Sequence, residues 1–139
     1  MISDLIRDGY GKTEDFNCAE KILNAANEAY QLKLSPEALK MAAGFGGGVA
    51  IEGLCGALAG GVMVLGRLFV TKNAHESDRI KRLTQELLNR YREAMGSIDC
   101  APLKAAHRND VVKCDPVILK AAAILDEIVQ RELHLERVC

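Results

Sequence analysis

The stretch that decides the fold lies at residues 44–66, which read GFGGGVAIEGLCGALAGGVMVLG. Four of its first five residues are glycine, and such a run does not sustain regular structure. The apolar segment that follows, residues 54–70, repeats its large apolar side chains at the spacing of one helix face: Cys55, Leu58, Val62, Leu65 and Phe69. The stretch therefore predicts a glycine-rich loop that leads into a central apolar helix.

Two glycines on this helix, Gly56 and Gly60, stand four residues apart and allow a neighbouring helix to come close, either within the chain or across a dimer. The longest uncharged run, residues 53–66, has 14 residues. Because a bilayer crossing needs roughly 20 residues, we expect a buried helix and not a membrane span.

Helical periodicity covers most of the remaining chain, and no segment alternates apolar and polar residues long enough to indicate a strand. Ser35 and Pro36 are typical of a helix start, and Gly96 is typical of a helix end. Helices are predicted over residues 17–30, from residue 36 to the glycine run, over residues 76–95, after Pro102, and over residues 116–135. The sequence thus predicts an all-α fold, a compact single domain spanning residues 1–139 with about five helices.

Composition narrows the possible functions. The chain has 139 residues, 49% hydrophobic but 4% aromatic, so we expect small side chains to build the core. The net charge of −1 argues against a nucleic-acid partner, because phosphate binding needs an excess of Lys and Arg. Charged residues near the start, Asp4, Arg7 and Asp8, argue against a signal peptide, so we expect a cytoplasmic protein.

Four of the five cysteines fall at predicted helix starts: Cys18, Cys55, Cys100 and Cys114. The last two share a pattern, since each stands two residues before a proline and is followed by the sequence Leu-Lys-Ala-Ala. A helix N-terminus stabilises negative charge, and the thiolate is the form of cysteine that attacks disulfides and binds metals. The alternative is that these cysteines are small buried core residues without chemistry. Cys139 follows the last predicted helix and is not expected to belong with the other four.

The spacing of the cysteines excludes the common local motifs. Zinc ribbons, ferredoxins and thioredoxin-like enzymes all contain C-x-x-C pairs. This sequence has none. A shared site must therefore be assembled by tertiary packing, which a helical bundle allows. We expect the sulfur atoms of Cys18 and Cys55 to lie close together, with Cys100 and Cys114 at the same end of the bundle.

Other motifs are weaker. The glycine run at residues 44–48 follows a helix and lacks the spacing of nucleotide-binding loops, so a structural turn is the preferred interpretation. His107 lies between Cys100 and Cys114 and is either a base or ligand or, as we prefer, a surface residue. His75 and His134 are expected to be solvated.

The order of these features resembles that of a known family. Asn17-Cys18-Ala19-Glu20, the glycine run, the stretch Cys55-Gly56-Ala57-Leu58-Ala59-Gly60, and then Cys100 and Cys114 are similar to the C_GCAxxG_C_C family. These are small proteins with four cysteines, described as redox-active, and their genes often lie near those of transporters. The resemblance implies that Cys18, Cys55, Cys100 and Cys114 are the active thiols, and it leaves Cys139 outside.

Three functional hypotheses follow. In the first, the four cysteines exchange disulfides with a redox partner that the sequence does not name, with Cys55 as nucleophile and a second cysteine resolving the disulfide. In the second, the same four bind zinc or an iron–sulfur cluster. In the third, the protein is a non-enzymatic helical module, an accessory to a transporter, and its cysteines are structural.

Overall fold

The computed structural model describes residues 1–138, and these residues form seven α-helices without an extended strand. The prediction of an all-α fold is confirmed, with more helices than expected. Cys139 lies outside the described residues. The helices are α1 (Ile2–Arg7), α2 (Cys18–Ala29), α3 (Pro36–Lys40), α4 (Gly56–Phe69), α5 (Arg79–Met95), α6 (Cys100–His107) and α7 (Asp115–Val138).

Helix α1 is the one that the sequence did not predict. Its first backbone N–H groups, those of Ile2 and Ser3, donate to the carboxylate of Asp126 at 2.9 and 2.8 Å. The hydroxyl of Tyr30 donates to the same carboxylate at 2.6 Å. Asp126 lies on α7 and is 2% exposed. A distant residue therefore satisfies the start of α1, and no local pattern announces it.

Several helix ends differ from the prediction. Ser35 caps α3 as expected, accepting from the N–H of Ala38 at 3.1 Å. The helix ends at Lys40, before the glycine run, and the chain then buries Ala42 and forms a short 3₁₀ turn at Ala43–Phe45. Helix α5 likewise starts later than expected, after a separate 3₁₀ turn at Ala74–Glu76, and Gly96 ends it with φ +88°.

Helix α4 is the centre of the bundle, and it packs against α2, α5 and α7. A Cβ atom at Gly60 would lie 2.9 Å from the carbonyl oxygen of Ala19 and 3.1 Å from the Cβ of Ile22. The glycine therefore serves a close helix contact within the chain. Within residues 1–138, no helix is long and apolar enough to cross a membrane.

We expect Gly60→Ala to destabilise the fold by about 1–3 kcal/mol, because α2 has to move away from α4 to admit the methyl group. Gly66→Ala is the matched control, since it adds the same methyl group to the same helix where nothing lies within 4 Å. The control should be neutral or stabilise by up to about 1 kcal/mol. Urea unfolding followed by circular dichroism measures both, and equal midpoints for the two variants would contradict the close contact.

Candidate functional site

The four cysteines singled out from the sequence line one cavity. Cys18, Cys55, Cys100 and Cys114 share this space, of about 10 Å³, with the glycines at positions 47, 48 and 56 and with residues of α6 and α7. All four carry free thiols. The fold therefore brings together side chains that are up to 96 residues apart in sequence, since 114 − 18 = 96.

Each cysteine stands where a helix begins. Cys18 and Cys100 are the first residues of α2 and α6, and Cys55 precedes α4. Cys114 precedes α7, and its carbonyl oxygen accepts from the N–H of Ile118 at 3.0 Å. Four helix N-termini thus surround one cavity. Their partial positive charges favour any negative charge that develops on the sulfurs.

The local sequence explains the start of α2. Asn17 accepts from the N–H of Glu20 at 3.0 Å, and the Glu20 carboxylate accepts from the N–H of Asn17 at the same distance. This reciprocal capping fixes the backbone just before Cys18. The position of Cys18 in the cavity is therefore set by its immediate neighbours and by the packing of α2 on α4.

Two backbone hydrogen bonds tie Cys55 to Cys100. The N–H of Cys55 donates to the carbonyl of Ile98 at 2.8 Å, and the N–H of Cys100 donates to the carbonyl of Gly53 at 2.6 Å. The two segments form an isolated antiparallel bridge immediately before α4 and α6. These two cysteines are held in a fixed relation by backbone contacts, independently of their side chains.

The loop beside this bridge has an unusual backbone. Gly48 has φ +64°, and a Cβ there would lie 2.7 Å from the Cβ of Cys100 and 2.5 Å from the backbone nitrogen of Gly53. Val49, Ala50 and Glu52 also have positive φ, between +59° and +64°, a region that non-glycine residues adopt at a cost of about 1 kcal/mol or more each. The predicted irregular turn is present, and glycine at position 48 is required by the approach of Cys100.

A comparison with known families agrees with this arrangement. A family model described as "Putative redox-active protein (C_GCAxxG_C_C)" matches residues 16–128, which include all four cysteines of the cavity. The chain belongs to the C_GCAxxG_C_C family. The resemblance drawn from the sequence is confirmed. No curated protein and no solved structure matches the chain.

Burial dominates the electrostatics of the cysteines in this C_GCAxxG_C_C protein. It raises the pKa of Cys18 to about 12, with further increases from the neighbouring Cys114, Cys55 and Cys100. Burial also raises the pKa of Cys55, and the backbone N–H groups at the start of α4 oppose that increase. The pKa of Cys100 is raised for the same main reason, and Lys104 opposes it. At neutral pH these three thiols are therefore protonated.

Access to the four thiols is unequal. Cys55 and Cys100 are 3% and 9% exposed and line only the inner cavity. Cys18 and Cys114 are half-buried, and they also line a neighbouring open pocket of about 390 Å³. The C_GCAxxG_C_C site thus has an inner pair of cysteines and an outer pair that faces the open pocket.

The three histidines lie outside the lining of the cavity. His107 does not line the cavity, and its Nε2 lies 3.2 Å from the carbonyl oxygen of Met95. His75 and His134 are exposed.

Within the described chain, no group of three or more His, Cys, Asp or Glu side chains is placed so that it could hold a metal ion.

Sequence reasoning missed the role of Tyr91, which the helical pattern placed only in the apolar stripe of α5. The side chain is buried, and its hydroxyl donates to the carbonyl of Val117 at 3.1 Å. Burial raises the pKa of Tyr91, and the nearby Cys55, Cys18 and Cys114 raise it further. Tyr91 therefore joins α5 to the start of α7 behind the thiols.

The raised pKa of Cys18 has a measurable consequence. We expect its alkylation by iodoacetamide in the folded protein to rise about tenfold per pH unit from pH 7 to pH 10, without levelling off, because the thiolate fraction keeps increasing below a pKa of about 12. In the urea-unfolded chain the same reaction should level off above the ordinary pKa of 9.0. Peptide mapping by mass spectrometry measures both curves.

Circular dichroism at each pH is the control for loss of structure. A plateau near pH 9 in the folded protein would contradict the proposed burial of the Cys18 thiol. The same shift predicts that the free energy of unfolding falls as pH rises from about 9 toward 12, because the folded state holds the Cys18 proton more tightly than the unfolded state does.

Proposed function

We propose that this protein carries out thiol–disulfide exchange with its four clustered cysteines. The observation that carries the proposal is that all four thiols line one cavity while two of them, Cys18 and Cys114, also face an open pocket. Membership of a family described as redox-active agrees with this chemistry. A purely structural role for the cysteines gives no reason for two of them to border a pocket of about 390 Å³.

In this proposal Cys114 attacks the substrate first. It is half-buried, faces the open pocket and precedes the 24-residue α7, whose N-terminal end stabilises a thiolate. The sequence alone favoured Cys55 as nucleophile. With 3% of its surface exposed and no contact with the open pocket, Cys55 is poorly placed to meet a substrate, so its role is reassigned to the inner pair.

The exchange proceeds in two balanced steps. The Cys114 thiolate attacks one sulfur of a substrate disulfide, forms a mixed disulfide, and releases the first substrate thiol, which takes up a proton. Cys18 then loses its proton and attacks the Cys114 sulfur, so that a Cys18–Cys114 disulfide forms and the second substrate thiol leaves. Two electrons and two protons pass from the protein to the substrate.

The inner pair extends this chemistry. A disulfide between Cys18 and Cys114 can exchange with the thiols of Cys55 and Cys100, which regenerates the outer thiols and leaves the inner pair oxidised. The backbone bridge that joins Cys55 and Cys100 supports their action as one pair. The high pKa of Cys18 slows its attack on the Cys114 sulfur, because little thiolate is present at neutral pH. Holding both groups in one cavity compensates for this loss, since the effective molarity of well-oriented groups reaches about 10⁵ M or more.

The same cavity supports a second candidate function, a metal centre. The favouring observation is that four thiols, the ligand set of tetrahedral zinc and of iron–sulfur clusters, line one space. Their side chains, as the structure describes them, are not placed to hold an ion together, so metal binding would require them to move. Metal binding would deprotonate the thiols, and the four helix N-termini would stabilise the resulting negative charge.

One experiment separates these functions. Protein carrying Cys139→Ser, so that only the four cavity thiols remain, is purified without oxygen, analysed for metal, and treated with hydroxyethyl disulfide. We expect no stoichiometric metal, and a titre of free thiols that falls from four to two and then to zero, fully restored by dithiothreitol. Bound metal with blocked thiols would favour the metal centre. Four thiols that react only after denaturation would identify the cysteines as structural.

Single substitutions test the assignment of roles. Cys114→Ser should slow the first loss of thiols by about tenfold or more, because the proposed attacking sulfur is absent. Cys18→Ser should let the mixed disulfide on Cys114 accumulate, seen as a mass increase by one substrate half. Cys100→Ser is the matched control and should leave formation of the Cys18–Cys114 disulfide intact. Slow first attack in Cys55→Ser, with normal rates in Cys114→Ser, would restore Cys55 as nucleophile.

A further inference from the structure

The open pocket beside the outer thiols is formed by two loops that meet over the starts of α2 and α7. One loop, residues 11–17, precedes Cys18, and the other, residues 108–113, precedes Cys114. Because both loops end at an attacking or resolving thiol, whatever occupies this pocket lies next to the reacting sulfurs. The character of the pocket therefore bears on the choice of substrate.

The pocket carries an excess of positive charge. Four cations line it, namely Lys12, Lys21, Arg108 and Lys113, against two carboxylates, Asp15 and Asp115. The whole chain has a net charge of −1, so the local balance of +2 differs in sign from that of the protein. Such a local field raises the concentration of anions at the pocket.

Ion pairs leave part of this positive charge available. Asp115 contacts two lysines. Its carboxylate lies 3.3 Å from the Nζ of Lys12, in the loop before α2, and 3.9 Å from the Nζ of Lys21, in the first turn of α2. Within residues 1–138, Arg108 and Lys113 form no ion pair. These two side chains belong to the loop that leads directly to Cys114, so they are the cations best placed to contact a substrate during the first attack.

The pocket also has an apolar surface. Phe16, Val111, Val112 and Ile118 line it, and Val111 is 89% exposed. A volume of about 390 Å³ falls in the range of small-molecule sites, which combine apolar walls with a few charged groups. The size, charge and apolar surface of the pocket together fit a small organic anion as its ligand.

We propose that the substrate of this site is a small disulfide that carries carboxylates, which Arg108 and Lys113 bind while Cys114 attacks its sulfur. The inference rests on the thiol–disulfide exchange proposed above and specifies the class of its substrate. One carboxylate pairs with the loop cations, and the disulfide lies over Cys114. The exchange then consumes one substrate disulfide and two protein thiols, and it yields the Cys18–Cys114 disulfide and two carboxylate-bearing thiols.

Three disulfides of similar size and different charge test this inference. Dithiodipropionate carries two carboxylates, hydroxyethyl disulfide is neutral, and cystamine carries two ammonium groups. The rate constant for loss of protein thiols is measured with each, in the Cys139→Ser background, and divided by the constant for the same disulfide with free mercaptoethanol. This ratio removes the intrinsic reactivity of each probe. We expect dithiodipropionate to exceed hydroxyethyl disulfide by roughly tenfold and cystamine to fall below it.

Substitutions locate the effect. Arg108→Gln and Lys113→Gln should each lower the ratio of the dithiodipropionate rate to the hydroxyethyl disulfide rate by about threefold, because an effect of the removed charge on the thiol alters both rates alike and only the dianion loses a binding partner. Lys120→Gln is the matched control, because it removes one exposed charge from α7 outside the pocket. High salt should reduce the advantage of dithiodipropionate in the unsubstituted pocket.

The possible results separate the two proposals. Equal normalised rates for the three probes would overturn the substrate class and leave thiol–disulfide exchange standing. An equal loss of rate with all probes in Arg108→Gln and Lys113→Gln would also overturn it, because the residues would then act on the thiol or on the fold and not on the substrate carboxylate. No reaction with any probe would overturn both proposals.

Discussion

The close contact between α2 and α4 is the constraint on which the site depends. Gly60 lets the two helices meet at Ala19, one residue after Cys18, and a Cβ at Gly56 would lie 2.7 Å from the carbonyl oxygen of Phe45. Cys55 directly precedes Gly56. Gly60 therefore allows the starts of α2 and α4 to lie side by side, and a larger side chain there would separate two of the four thiols. Gly56 allows the 3₁₀ turn at Ala43–Phe45 to pack against the start of α4.

The site balances two opposing effects on its sulfurs. Burial and the proximity of other thiols disfavour the thiolate, as the pKa of about 12 at Cys18 indicates, whereas four helix N-termini favour negative charge. Burial prevails at Cys18, Cys55 and Cys100, so these three thiols are protonated at neutral pH. The two outer cysteines escape full burial because the loops before α2 and α7 leave a pocket between them.

Local signals made part of this structure predictable. The helix starts at Asn17 and Ser35 and the helix end at Gly96 depend on residues within one turn, and they lie where the sequence placed them. Helix α1 could not be foreseen, because the carboxylate that satisfies its first N–H groups comes from Asp126, 124 residues from Ile2. Helix α3 likewise ends earlier than expected, and Ala42, which follows it, is buried in the tertiary core.

The sequence by itself determined the all-α fold, the glycine-rich loop and the choice of the four cysteines, because helix periodicity, capping and glycine content are local properties. Only the tertiary structure decided how these cysteines differ. The packing of α2, α4, α6 and α7 buries Cys55 and Cys100 and leaves Cys18 and Cys114 beside a cationic pocket. Exposure depends on which surfaces meet in three dimensions, and the spacing of residues along the chain does not encode it directly.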